Sequence, residues 1–416
     1  MHAWTRFASG AALAASLTFA ALPHPALAAG DEGFLYGRLT THDGKTYEGR
    51  LRWDDEEAFW GDFFNSSKEH NPWVGEAPRV AREHPRHKIE LFGIELGSFS
   101  HGDYDSRQFV SRFGDIAKIE PRGGDEVTVT LKDGTVFQLE GGSNDVESKV
   151  VVWDAGLGEV GVEWRRIRSI VFLPAPARLA SAEPRLYGKV ATRDGDFTGY
   201  VQWDQEECVG SDELDGEDER GDDMSLRMDT IRAIERRSSD SSAVTLKDGR
   251  RVVLSDTNDV DSSNRGIYVD DPRYGRVLVE WKAFERVDFT NGGSGPRYTD
   301  FRNGAKLAGM VTTTDGRKLV GRLVYDLDES ETTEMLDGDH HDVSYSIPFA
   351  LVAAVVPRND AARVILRSGE ELQLEDSTDV SDDNAGMLVF EPNHPKPTYV
   401  RWDEVERVDF LLPGKG

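Results

Sequence analysis

LYGRLTTHDGKTYEGRLRWDDEE, residues 35–57, alternates apolar and polar positions on both sides of Asp43-Gly44. Alternation of period two puts successive side chains on opposite faces of an extended chain, and an Asp-Gly between two such runs is a strong short-range hairpin signal. The same design returns as LYGKVATRDGDFTGYVQWDQEE from Leu186, around Asp194-Gly195, and as LAGMVTTTDGRKLVGRLVYDLDE from Leu307, around Asp315-Gly316. Three copies of one hairpin predict an all-β protein.

A second hairpin follows each first one: VTVTLKDGTVFQLEGGSNDV from Val127, AVTLKDGRRVVLSDTNDV from Ala243 and RVILRSGEELQLEDSTDV from Arg363. Each then leads to VGVEWRRIRSIVF, VLVEWKAFERVDF or TYVRWDEVERVDF. These endings space an aromatic and two aliphatic or aromatic residues by three: Trp164/Ile167/Ile170, Trp281/Phe284/Val287 and Trp402/Val405/Val408. The first-hairpin segments close alike, on Phe113/Ile116/Ile119, Met228/Ile231/Ile234 and Phe349/Val352/Val355. The runs are too short for an ordinary helix, so each predicts a 3₁₀-like turn followed by a short strand.

The chain therefore divides into three tandem units, near residues 33–174, 185–290 and 305–413, each of two related halves that form small antiparallel barrels or, together, one closed sandwich. Residues 173–185 and 290–303, rich in small residues, Pro or Gly, are the expected linkers. A Gly-turned hairpin, a variable excursion, a short turn and a last strand resemble the Sm-like and SH3-like small barrels. The resemblance implies the fold. Sm-like members commonly bind RNA, while SH3-like modules bind peptides or, in bacterial wall-binding forms, peptidoglycan.

Two features separate this chain from the RNA-binding members. Its formal net charge of −27 repels phosphate backbones and anionic lipid heads. Its first 28 residues, with Arg6, an apolar run from Phe7 to Leu22 and Ala26-Leu27-Ala28, have the plan of a cleaved signal peptide. The expectation is a periplasmic or extracellular protein without a membrane span after cleavage and without a nucleic-acid partner. The single cysteine, Cys208, aligns with Ala58 and is expected to fill a small core position.

GLGEVG, residues 156–161, has the spacing of a dinucleotide-binding glycine loop, but the mechanism needs a following helix, and only VGVEW and its turn follow. A tight connection between strands is expected instead. No H-E-x-x-H, paired cysteines or G-x-S-x-G points to a metalloenzyme or a serine hydrolase. No catalytic residue is assigned. The chain is expected to be non-enzymatic.

Three groups of residues are candidates for binding. The recurring [ST]-x-D-V places Asp145, Asp259 and Asp379 after each second hairpin, where a carboxylate accepts backbone N–H groups or contacts a ligand. The acidic excursions supply Asp212, Asp215 and Glu217, then Asp337, Asp339 and Asp342, hard oxygen donors of the kind Ca²⁺ takes. No other cofactor is expected. The long first excursion, an insertion over residues 61–106, gives with its flank Trp60, Phe63, Phe64, Trp73, Phe92 and Tyr104 as an aromatic contact surface or as extra core. The function expected is multivalent binding or scaffolding of a protein or peptide partner in the cell envelope, with a cell-wall or glycan-binding module as the alternative.

Overall fold

The computed structural model describes residues 33–53, 56–78, 90–91, 94–95, 107–141, 145–176, 184–292, 295–301 and 304–411. The expected signal peptide, Phe92 and Tyr104 lie outside them. The described chain is all-β, with its long strands joined in two large antiparallel sheets.

In chain order the first set of strands is β1 Tyr36–Thr41, β2 Thr46–Trp53, β3 Phe63–Lys68, β4 Glu90–Leu91, β5 Ile94–Glu95, β6 Arg107–Arg112, β7 Ile116–Gly123, β8 Glu126–Leu131, β9 Val136–Glu140, β10 Val150–Asp154, β11 Gly158–Val162 and β12 Ile167–Phe172. The second is β13 Tyr187–Thr192, β14 Gly195–Gln202, β15 Glu213–Glu217, β16 Asp223–Arg227, β17 Ile231–Arg236, β18 Ser241–Leu246, β19 Arg251–Ser255, β20 Ile267–Asp271, β21 Gly275–Val279 and β22 Phe284–Phe289. The third is β23 Ala308–Thr313, β24 Lys318–Val324, β25 Met335–His340, β26 Val343–Pro348, β27 Val352–Pro357, β28 Ala361–Leu366, β29 Glu371–Glu375, β30 Met387–Phe390, β31 Thr398–Val400 and β32 Val405–Phe410.

Each expected hairpin forms, but its outer partners come from the other half of its own set. In the second set β13 and β14 pair with each other, then with β22 and β20. The later hairpin, β18 and β19, pairs outward with β17 and β15. The first set repeats this as β1 with β12, β2 with β10, β8 with β7 and β9 with β3. The third set repeats it as β23 with β32, β24 with β30, β28 with β27 and β29 with β25. The halves thus exchange strands.

The spacing of three explains the seam between halves. Five of the six triplets begin with a 3₁₀ turn, at Phe113, Trp164, Met228, Phe349 and Trp402; the sixth, at Trp281, is a turn closed by Ala283 and Phe284 N–H on Glu280 O. The last member of each triplet then meets its counterpart across the paired closing strands: Ile119 faces Ile170, Ile234 faces Val287 and Val355 faces Val408. All six are fully buried.

Close approach requires glycine at one matching mid-strand position of the three sets. Gly49, Gly199 and Gly321 lie mid-strand, where an added Cβ would sit 1.9 Å from Trp153 O, 2.0 Å from Asp270 O and 2.2 Å from Phe390 O. The clash is with backbone, so side-chain rotation offers no relief. Gly199→Ala is expected to force β20 away from β14 and cost about 1–3 kcal/mol. A urea midpoint unchanged from wild type would refute this account of the pairing.

The three sets pack on one another. The second and third share a sheet through β21 and β26, with Arg276 opposite Ser346, Val277 opposite Tyr345, Leu278 opposite Ser344 and Val279 opposite Val343. Phe34, Ala58 and Phe59 of the first set cluster with Cys208 and Val209 of the second, so Cys208 is the small filler its alignment predicts. Phe63 and Val110 meet Tyr268, Leu278 and Met335 where all three sets converge.

Candidate functional site

The recurrent aspartates and aromatics form one centre, built three times. After each first hairpin the chain folds back within five residues: the N–H groups of Trp53, Trp203 and Tyr325 donate to the carbonyls of Glu57, Glu207 and Glu329. In the second and third copies the turn residues Asp204, Gln205, Asp326 and Leu327 take positive φ, which a bulky residue such as leucine seldom adopts. The aromatic side chains are wholly buried. Trp53 Nε1, Trp203 Nε1 and Tyr325 Oη donate to the backbone carbonyls of Asp145, Asp259 and Asp379, at 2.8, 2.9 and 2.6 Å.

The aspartate side chains point the other way, onto the excursion strands. Their Oδ2 atoms accept the backbone N–H of Asn65, Asp215 and Asp337 at 2.6, 2.6 and 2.7 Å. The aspartates therefore cap backbone donors, as the turn chemistry suggests, but the donors are 80, 44 and 42 residues distant and lie on the opposite half. Each aspartate joins the exchanged strands.

The fold-back brings a glutamate into each centre. Burial, followed by the charge of Asp259, pushes the Glu207 carboxyl up to about 9, and burial pushes Asp259 up to about 6. Glu57 and Glu329 move in the same direction, by burial first and then by Asp145 and Asp379. One carboxyl oxygen each of Glu207 and Glu329 is buried with no hydrogen-bond partner, a setting in which the neutral acid is favoured over the anion. The glutamates were absent from the sequence candidates. Their mark was recurrence in WDDEE, WDQEE and YDLDE.

The acidic excursions are in large part strand. Asp215 and Glu217 lie on β15, and Asp337 and Asp339 on β25, each strand half of a hairpin with β16 or β26. Asp212 is a turn cap, its Oδ2 accepting Cys208 and Val209 N–H at 2.8 and 2.9 Å. Asp337 accepts the Ser346 hydroxyl, burial raises Asp339 to about 6, and Asp342 pairs with Lys282 at 3.0 Å. Among the described residues no group of three or more His, Cys, Asp or Glu side chains is arranged to hold a metal ion. The Ca²⁺ expectation has no described cluster to rest on.

Of the two readings of the insertion aromatics, Trp60, Phe63 and Phe64 follow the one that makes them extra core. Trp60 and Phe64 are fully buried and Phe63 nearly so; Trp60 packs on Tyr298 with ring centroids 4.5 Å apart, and Phe64 on Trp53 and Phe113. Trp73, half-buried, packs on Phe390 of the third set. The physical cause is β3, which pairs with both β6 and β9 and so draws the start of the insertion into the core. Trp164, Trp281 and Trp402, the first residues of three triplets, are also buried.

Two buried ion clusters, invisible in the sequence, join the sets. Arg276 reaches Asp62 and Asp270 at 2.8 Å, and Arg185 reaches the same two acids at 3.3 and 2.8 Å. Burial opposes ionisation of Asp270, yet Arg276 and Arg185 outweigh it and hold the carboxyl below its ordinary value. Lys68 reaches Asp328 and Glu334, both at 2.8 Å.

Among the described residues β11 pairs only with β10, and β16 only with β15; β6 and β31 are also singly paired, with β3 and β30. β11 exposes Gly158, Glu159 and Gly161, and β16 exposes Asp223, Ser225 and Arg227. GLGEVG covers the end of the turn before β11 and most of that strand, with Gly156 and Leu157 N–H on Asp154 Oδ1. Among the described residues no helix is long and apolar enough to cross a membrane.

No protein-family model matches the chain, and no curated protein matches it. Among solved structures, a streptogramin B lyase aligns over 72% of this chain and 94% of its own at 10% identity, with a TM-score of 0.10. A superposition that loose carries no argument.

Proposed function

We propose that this is an exported, non-enzymatic binding or scaffold protein, released into the periplasm or beyond after loss of residues 1–28. Its three tandem units are each two interlocked SH3-like or Sm-like barrels that have exchanged strands. The partner is a protein or peptide of the cell envelope, added as an extra strand to an open edge. The observation that carries this is the pair of exposed, singly paired strands β11 and β16, because an unsatisfied edge presents a row of backbone donors and acceptors to an extended chain. The raised carboxyls support a structural role, since the same pair stands in all three units and each aspartate is spent on a backbone N–H.

The mature chain, immobilised and exposed to envelope extract, is expected to retain a discrete protein. Glu159→Pro in β11 or Ser225→Pro in β16 should diminish that capture, because each takes one donor from an edge. Retention by insoluble peptidoglycan with no protein captured would replace this proposal with the glycan-binding alternative.

A further inference from the structure

We propose that the partner at these edges is a second copy of this chain, with β11 of one molecule pairing antiparallel to β16 of the next. This rests on the edge-binding function above and names its partner. The chain already makes this contact once, internally, between β21 and β26. Strand register within each set makes β11 the counterpart of β21, since Val162 faces Val150 as Val279 faces Ile267. It likewise makes β16 the counterpart of β26, since Leu226 faces Leu214 as Ile347 faces Leu336. The second set has its β21 edge covered and its β16 edge open.

Transferring the β21·β26 register places Glu159 opposite Ser225, Val160 opposite Met224 and Gly161 opposite Asp223. The donors agree with this. Glu280 N–H reaches Asp342 O across the internal contact, so by alternation Leu278 and Arg276 also face outward on β21; their counterparts on β11 are Gly161 and Glu159. Charges agree as well. Lys149 crosses Gly161, its Nζ 3.2 Å from where a Cβ would sit, which sets an ammonium opposite Asp223. Arg165 follows Trp164 as Lys282 follows Trp281, and Lys282 pairs with Asp342 at the start of β26; the matching turn before β16 holds Asp218, Glu219 and Asp222.

The third set's counterpart, β31, is a poorer edge. Pro397 stands at the position of Arg276 and has no N–H to donate. Two different edges on one molecule make a head-to-tail contact, which closes into a ring or extends as a chain.

Sedimentation velocity of the mature chain at about 100 μM, a range suited to a contact of few residues, is expected to show dimers or larger species that dissociate in high salt. Glu159→Pro and Ser225→Pro each remove an outward donor on an exposed edge and should weaken association about tenfold. Mixing the two variants should restore a one-to-one pair and nothing larger, because each supplies the edge the other lacks. Lys149→Glu should weaken association up to about fivefold, and adding Asp223→Lys should recover it. These last two positions are exposed, so the charge swap stays informative even where a proline disturbs folding. A monomer at this concentration, or assemblies indifferent to all four substitutions, overturns the inference. A monomer that still captures an envelope protein overturns it while leaving the binding function standing; a monomer that captures nothing removes both.

Discussion

Replacing Lys68 by methionine is expected to lower stability by about 3–5 kcal/mol, the cost of leaving buried charge without its partner. Lys68 is the last residue of β3, and its ammonium lies 2.8 Å from both Asp328 and Glu334 with all three side chains less than one-tenth exposed. Glu334 has a second duty, because its other oxygen accepts Ser330 and Glu331 N–H. Loss of the cation therefore strands two acids and loosens the turn that one of them caps. The partners are 260 and 266 residues apart, so the break should also uncouple the first set from the third. Its expected signature is a calorimetric transition that moves down and splits.

The sign with pH is fixed. Burial opposes the ammonium, but Asp328 and Glu334 outweigh it and raise its pKa above the ordinary 10.5. While the two acids are ionised, the contribution is therefore complete below that value and is lost as pH rises further. Lys68→Met should show its full deficit at pH 7. A double variant, Lys68→Met with Asp328→Asn, should recover part of the loss because one stranded charge is gone. A single variant within about 0.5 kcal/mol of wild type, the range of an ordinary surface change, would mean the cluster is not a tie.

Why the ion clusters escaped the sequence is plain from Lys68 itself. A lysine ending a short polar stretch, FFNSSK, has nothing local to distinguish it from a solvated one. By contrast the hairpins around Asp43-Gly44, Asp194-Gly195 and Asp315-Gly316 were legible, because alternation and turn chemistry act within a dozen residues. The triplets were legible for the same reason, as the turn at Phe113 and the strand after it are set by neighbours. Strand exchange was not. Both halves of a set carry the same pattern, so β14 fits either half's third strand, and only long-range packing selects β20.

The acidic excursions failed differently. ELDGE in β15 has only Leu214 as an inward apolar residue, and Gly216, packed against Leu254, shows no hydrophobic signal. Acidity then dominates the sequence and hides a strand. For the aromatics, Trp53, Trp203 and Tyr325 recur at one position of the repeated hairpin, whereas Trp60, Phe63 and Phe64 have no aromatic repeat and their burial depends on β6 and β9, distant in sequence. The recurrent aspartates were found, and with them the centre; the glutamate in each was not.

That glutamate gives the last expected result: between pH 5 and 9 the protein should become less stable as pH rises, and Glu207→Gln should flatten part of the fall. In the folded chain burial and Asp259 hold the Glu207 proton up to about pH 9, against an ordinary value of 4.5. The folded state then binds a proton the unfolded state has released, so the stabilisation is full below 4.5 and is lost progressively up to about 9. Each proton so retained is worth about 1.4 kcal/mol per pH unit over that window. Glutamine is neutral throughout and keeps nearly the same shape. The variant should therefore match wild type near pH 5 and melt higher at pH 8. Glu57→Gln and Glu329→Gln should act in the same sense, because both carboxyls are raised by the same causes. Below about pH 4 the slope reverses, since aspartates such as Asp229 and Asp288, held low by Arg227 and Arg286, are then forced to take up protons. Melting temperatures across pH 3 to 9 decide the matter: a wild-type curve that rises from 5 to 8, or a glutamine variant that melts lower at pH 8, would show that Glu207 is ionised in the folded chain.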